Sequence, residues 1–367
     1  MMPTDELDNI NVYASGICSP LHKVGVLSFL DEYSALNDNL HAVVYIDSAN
    51  WSNNLIPDDV VNGLSYSAKF QSSRPSFSVF SLLIAFFLLL VRRFSSGSPV
   101  YILGHSRVNL KLIAALVHAK KINTKSKIVT VVFDEGVGSY GGLPYKLAAY
   151  RRQGHPGFFM CMLFVAIFPL NQYLLRLPIL IDKDRRLFDI KFGMPKGKKE
   201  VIASYKRAFS HNRSSEADME IGGVDVLFLT QPMVSLGLID VDEYTKLIKH
   251  VLCLIEEAGL KLWLKPHPAE DASFYRNLDV RTIELDLPAE ALAVMYEPRV
   301  MLGFTSTSLI LCNKIFEMKT VSLLNLAFPS VGVERYFNGD RKITTLFNHY
   351  VIFPQSWEAL IASISLE

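Results

Sequence analysis

The chain is poor in the features that mark several common classes of protein. Its four cysteines, Cys18, Cys161, Cys253 and Cys312, stand far apart with no CxxC or Cys/His ligand spacing, which excludes a disulfide-stapled fold and argues against a structural zinc site. No sign of charge dominates: 37 Lys plus Arg stand against 36 Asp plus Glu, so no global field points to nucleic acid. The start, Met1 to Asn11, is acidic and polar and lacks the basic-then-apolar order of a secretory signal, so no export peptide is expected. No short-period repeat or low-complexity segment appears, which sets solenoids aside. No DxD-type acidic cluster suggests a divalent ion, and no metal is expected.

Long apolar runs are also scarce. From Phe77 to Val91 only Ser78 and Ser81 interrupt one. Fifteen helical residues reach roughly 22 Å, short of the roughly 30 Å hydrocarbon layer, so a buried covering helix is predicted rather than a span. Phe158 to Leu180 is apolar too, but Pro169, Asn171, Gln172, Arg176 and Pro178 break it. Flanked by Arg151, Arg152, Lys183, Arg185 and Arg186, it reads equally as an interfacial segment or as a core helix with a surface loop.

What is present is a chain of 367 residues, half of them apolar, in which short β-branched runs alternate with helical stretches. That alternation is the mark of parallel sheets covered by helices. Strands are predicted at 11–15, 41–46, 100–103 and 127–133, with an amphipathic helix over 109–120. A polar stretch, Pro195 to Gly223, separates a second series: strands at 224–229, 260–265, 281–285 and 299–302, and helices at 242–257 and 308–316. The fold class is therefore α/β with two Rossmann-like domains, 1–215 and 216–367, facing each other across a cleft.

Four segments carry candidate chemistry. Val131-Val-Phe-Asp134-Glu135-Gly136-Val-Gly138 runs from a buried strand into two carboxylates and two glycines. Strand carboxyl ends bind ligands in open α/β sheets, and crowding two acids there raises the pKa of one, as a general base requires. The glycines let the backbone turn beside a ligand; a solvated turn explains the same letters. Lys261-Leu-Trp-Leu-Lys265-Pro266-His267-Pro268 ends a strand in a histidine held between prolines, where a positioned imidazole can serve a leaving phosphate. Gly303-Phe-Thr305-Ser306-Thr307-Ser308 puts four hydroxyls before an apolar helix, an anion site or a plain N-cap. Glu290, in Pro288-Ala-Glu-Ala-Leu292, sits in a first helical turn, placed for a ribose diol or for the helix dipole.

In this order the Asp-Glu-Gly, Lys-Pro-His-Pro, Pro-x-Glu-x-Leu and Ser/Thr motifs resemble those of the bacterial sialyltransferases and capsule polysialyltransferases of GT-B type. Phe228-Leu-Thr-Gln-Pro232 and the early Cys18-Ser19-Pro20-Leu21 loop are similar as well. The resemblance runs from about residue 11 to 325. It implies inverting, metal-independent transfer of sialic acid from CMP-sialic acid, the donor substrate, to a glycan acceptor in capsule or lipooligosaccharide synthesis, with no cofactor. Asp134 or Glu135 would be the base and His267 the partner of the CMP phosphate. Ser306, Thr307 and Ser308 would bind that phosphate, Glu290 the ribose, and the backbone near Lys265 the cytosine. A mixed Ser-Thr-Ser stands where members of the family carry plain serines. A cytoplasmic protein with peripheral attachment to the inner face of the membrane is the matching expectation. The alternatives are a GT-B enzyme using another nonulosonic acid or a nucleotide-diphosphate sugar, and a membrane-bound, non-catalytic glycan-binding scaffold.

Overall fold

The computed structural model describes residues 10–17, 20–34, 40–46, 67–71, 79–92, 94–105, 108–122, 125–134, 141–142, 145, 147, 175, 177–187, 199–210, 223–271, 273–276, 278, 280–283, 287–329, 336–337 and 339–365. The chain divides into two compact units. The first comprises 1–139, 149–191 and 195–211; the second comprises 212–367 together with 140–148 and 192–194.

The first unit is built on six parallel strands: β1 (Ile10–Ile17), β2 (Leu40–Ile46), β3 (Ser67–Gln71), β4 (Pro99–His105), β5 (Lys127–Phe133) and β6 (Lys183–Asp184). Their order is β3-β2-β1-β4-β5-β6, with Val12 opposite Tyr101 and Leu103 opposite Val131. Alternate side chains feed two cores. Val12, Ala14, Leu103, Val131 and Phe133 meet Val26, Phe29 and Leu30 of the helix Pro20–Ser34. Tyr13, Ile102, Ile128 and Val132 meet Leu112, Ile113 and Leu116 of the helix Leu110–His118. Burial on both faces explains why these strands read as unbroken apolar runs.

Two expectations are corrected here, and the polar stretch between the two series gains a helix. Pro20 and Leu21 open a helix rather than form a loop, proline being suited to a first helical position; Cys18 and Ser19 lie outside the described residues. The polar stretch after Pro195 contains a helix, Lys199–Ser210, whose Val201, Tyr205 and Ala208 are buried and which packs on the helix Pro20–Ser34. The apolar run from Phe77 does form a helix, Val79–Arg92, but it is not buried: Ala85 and Leu89 join the core while Leu83 and Phe87 are exposed. A helix on an outer layer turns only one stripe inward, so a run apolar all round leaves its other side in solvent. Most of Phe158 to Leu180 lies outside the described residues, and among those described no helix is long and apolar enough to cross a membrane.

The second unit repeats the plan with β7 (Val226–Leu229), β8 (Leu262–Lys265), β9 (Arg281–Thr282), β10 (Val300–Gly303) and β11 (Lys319–Ser322), all parallel, in the order β11-β10-β7-β8-β9. Val226, Phe228, Leu264, Val300 and Leu302 pack with Ile248, Val251 and Ile255 of the helix Val241–Glu257. The strand order reverses between β7 and β10. Doubly wound sheets bind ligands outside the strand carboxyl ends at that switch point, which here means Thr230 to Gln231 and Phe304 to Thr305.

Candidate active site

In the first unit β5 delivers Asp134 to the carboxyl edge of its sheet. The side chain is fully buried, and its Oδ2 accepts the Leu187 backbone N–H. Burial pushes its pKa up to about 7; the Leu187 bond and Arg186 oppose the shift, and Asp184 adds to it. Arg186 grips Asp184 through Nε at 2.8 Å and Nη2 at 2.6 Å, and Arg185 donates to Glu32 at 2.6 Å and to the Ser204 hydroxyl at 2.7 Å. Burial, then the Asp134 charge, push the phenol of Tyr205 well above its ordinary range. Asp134 is thus walled into a packed polar layer. Glu135, Gly136 and Gly138 lie outside the described residues.

The same edge gathers two histidines that the motif reading passed over. His105 ends β4, and its ring lies edge-on to that of His22, centroids 3.8 Å apart, and against Phe133 at 4.8 Å. The available signal was the position of His105 at the end of an apolar strand run.

In the second unit β8 runs through Lys265 into Pro266 and His267. Nδ1 of His267 accepts the Ala269 backbone N–H at 3.1 Å. In the neutral ring the proton therefore sits on Nε2, which remains a donor. His267 is solvent-exposed, but the polypeptide around it lowers its pKa; the charge of Glu270 opposes this and that of Lys265 adds to it.

Glu270, which no sequence motif marks, is the hub of this group. Its Oε2 accepts the Thr230 hydroxyl at 2.5 Å and the His267 backbone N–H at 3.0 Å. Its Oε1 accepts the Tyr275 hydroxyl at 2.8 Å, and Tyr275 pairs with Tyr244 at 3.2 Å. Thr230 closes the circle by donating its own N–H to the Lys265 carbonyl at 3.1 Å. The end of β7 and the turn after β8 are locked together, with Pro268 at the exposed rim.

Across the switch point, Gln231 Oε1 accepts both the N–H of Thr305, at 2.6 Å, and its hydroxyl, at 3.0 Å. Ser306 caps the helix Thr307–Phe316, its hydroxyl accepting the Ser308 N–H at 3.3 Å. Glu290 lies in the first turn of the helix Ala289–Tyr296; burial raises its pKa, and the Ser308 hydroxyl bonds its carboxyl group. Thr305, Ser306 and Ser308 thus each have an internal partner, while Glu290 and Ser308 form one unit.

Two doubly wound parallel sheets, each presenting polar side chains at its carboxyl edge, define the GT-B type of fold, which glycosyltransferases and sugar-nucleotide epimerases share. The model of the alpha-2,8-polysialyltransferase family matches residues 107–325, and the chain belongs to that family. Among solved structures it is similar to a 2,6-sialyltransferase of Photobacterium sp. JT-ISH-224, in a complex with CMP and lactose, at 11% identity and TM-score 0.51 over 95% of this chain and 78% of that one. It is also similar to the UDP-GlcNAc 2-epimerase of Methanocaldococcus jannaschii, at 11% identity and TM-score 0.50 over 97% and 92%. No curated protein sequence matches it. Family membership sets aside the non-catalytic scaffold.

Proposed function

We propose that the chain transfers sialic acid from CMP-sialic acid to a glycan hydroxyl by a single inverting displacement that needs no metal. The observation that carries this reading is the bond from Ala269 N–H to His267 Nδ1, which leaves Nε2–H as a fixed donor beside the switch point. The leaving group is a nucleotide phosphate whose charge grows as its bond to the anomeric carbon breaks. It needs preorganised donors, supplied by His267 and by the backbone N–H groups that open the helix Thr307–Phe316.

The acceptor oxygen forms the new bond to the anomeric carbon and gives up its proton to a carboxylate. Asp134 is fully buried and already accepts from Leu187, so the base is assigned to Glu135, with Asp134 positioning the strand end. Glu290 is assigned to the ribose, and the Lys265 segment to the cytosine. The Photobacterium relative was captured with CMP, the product that this donor would leave. A cytoplasmic site of action in surface-polysaccharide synthesis follows from the donor chemistry proposed.

Isothermal titration of the protein with CMP in EDTA, with UDP and GDP as controls, tests the donor assignment. Selective CMP binding is expected; preference for a diphosphate nucleotide would overturn it. With CMP-sialic acid and a glycan acceptor, E135Q is expected to lose transfer while still binding CMP.

A further inference from the structure

The outer side of the helix Val79–Arg92 is an apolar stripe facing solvent. Leu83 is 70% exposed, Phe87 67%, Val91 55% and Phe94, just beyond the helix, 89%. Spacings of four, four and three residues put these side chains on one face, opposite the buried Ala85 and Leu89. Ile179, 71% exposed, adjoins Leu180, which enters the same core cluster as Leu89. Single exposed apolar residues need no explanation; a contiguous stripe does.

The charge along this part of the chain is one-sided. Between Val60 and Ile181 the sequence holds fourteen Lys and Arg but only two acids, Asp134 and Glu135, leaving 23 bases and 34 acids for the rest of the chain. A nearly neutral protein thus confines an excess of twelve positive charges to one third of its length. Lys120, Lys121, Lys125 and Lys127 are exposed. Two of them adjoin the stripe: the Ser95 hydroxyl donates to the Lys125 carbonyl, and Lys127 N–H donates to the Ser98 carbonyl at 3.1 Å, so the loop bearing Phe94 is tied to a basic edge.

We infer that this face docks the protein on an anionic lipid bilayer, with the apolar stripe sunk to the acyl boundary and the lysines on the headgroup phosphates. Fourteen helical residues reach about 21 Å, too short to span but suited to lie in the interface plane. A second copy of the chain fits less well, because pairing would bring the two sets of exposed lysines together. A polyanionic chain would use the lysines but leave the Phe and Leu stripe without a purpose. The inference stands on this face alone and does not depend on the transfer chemistry.

Co-sedimentation of the full chain with vesicles of phosphatidylcholine, alone or mixed with phosphatidylglycerol, tests it. Binding is expected to the mixed vesicles, to weaken with added salt, and to be at least tenfold weaker, roughly, on phosphatidylcholine alone. The double variant F87S/F94S, with its fold checked by circular dichroism, should bind the mixed vesicles about tenfold or more weakly. K125Q/K127Q should lose about fivefold per base. Equal binding to both vesicle types would overturn the inference, as would unchanged binding of F87S/F94S, which would leave the bases to a polyanionic chain. So would a wild-type dimer, seen by sedimentation velocity, that F87S/F94S converts to monomer.

Discussion

The Ala269 backbone N–H points at Nδ1 of His267, 3.1 Å away, so one peptide group decides which nitrogen of the imidazole can donate. Removing a donor aimed at a developing phosphate charge costs about 10²- to 10³-fold in kcat. H267A is expected to fall in that range. H267Q, whose amide nitrogen reaches the place of Nε2, should recover part of it, and H267N, which mimics Nδ1, should not. Single-turnover rates with CMP-sialic acid separate the three. Desolvation by its surroundings holds the His267 pKa below the ordinary value, so the ring stays neutral to lower pH than a free histidine would. Protonation puts a hydrogen on Nδ1, where it opposes the Ala269 N–H and releases the ring, so transfer should decline as the ring charges, and the H267Q variant should lose that part of the acid limb.

Glu270 touches no reacting atom in this scheme and acts as a positioning residue. E270Q keeps the size of the side chain but weakens its acceptance from Thr230, Tyr275 and the His267 backbone. A loose supporting shell costs about 10- to 100-fold in activity. The expected loss is in kcat, with the KM for donor nearly unchanged, whereas a merely structural role would leave kcat per folded molecule intact. E270A, which leaves several donors unsatisfied, should also lower stability by about 1–3 kcal/mol in urea titration.

Asp134 gives a stability signature with a definite sign. Its pKa rises from 3.8 in the unfolded chain to about 7 in the fold because burial disfavours the carboxylate. The unfolded state therefore releases its proton first as pH rises. The contribution of this group is fully present below about pH 4 and is lost progressively up to about pH 7, by roughly 4 kcal/mol. D134N keeps an oxygen for the Leu187 N–H and removes the titration, so its stability should stay flatter across that window. Urea unfolding at several pH values checks this; an unchanged slope in D134N would show that another group controls it.

The elements that can be read from sequence are those that bury their side chains. β5 was expected at 127–133 and is found there, because Ile128 to Phe133 is buried on both faces. The strands not foreseen, β3, β6 and β11, are the outermost of their sheets, and β9, expected over five residues, has two. β3 has one hydrogen-bonded neighbour and need not be apolar, and Ser67-Ala-Lys-Phe-Gln71 shows no run to detect. The site divides in the same way. His267 announces itself through its two prolines, whereas the partners of Glu270 lie at 230, 244 and 275, and no local pattern joins them. The exposure of Leu83 and Phe87 was equally hidden, because an apolar helix reads alike whichever side faces water.

Glu290 offers the sharpest test of the nucleotide assignment. It is buried, its pKa is raised by that burial, and the Ser308 hydroxyl bonds its carboxyl group beside the start of the helix Thr307–Phe316. A carboxylate accepting from a ribose diol discriminates between CMP and 2′-deoxy-CMP; one that only complements the helix dipole does not. The wild type is expected to bind CMP about tenfold more tightly than the deoxy nucleotide, one good polar contact being worth about that much. E290Q should weaken CMP binding and bring the two affinities together. If the preference for CMP survives E290Q intact, the ribose is held elsewhere and Glu290 serves the packing of its helix against Ser308.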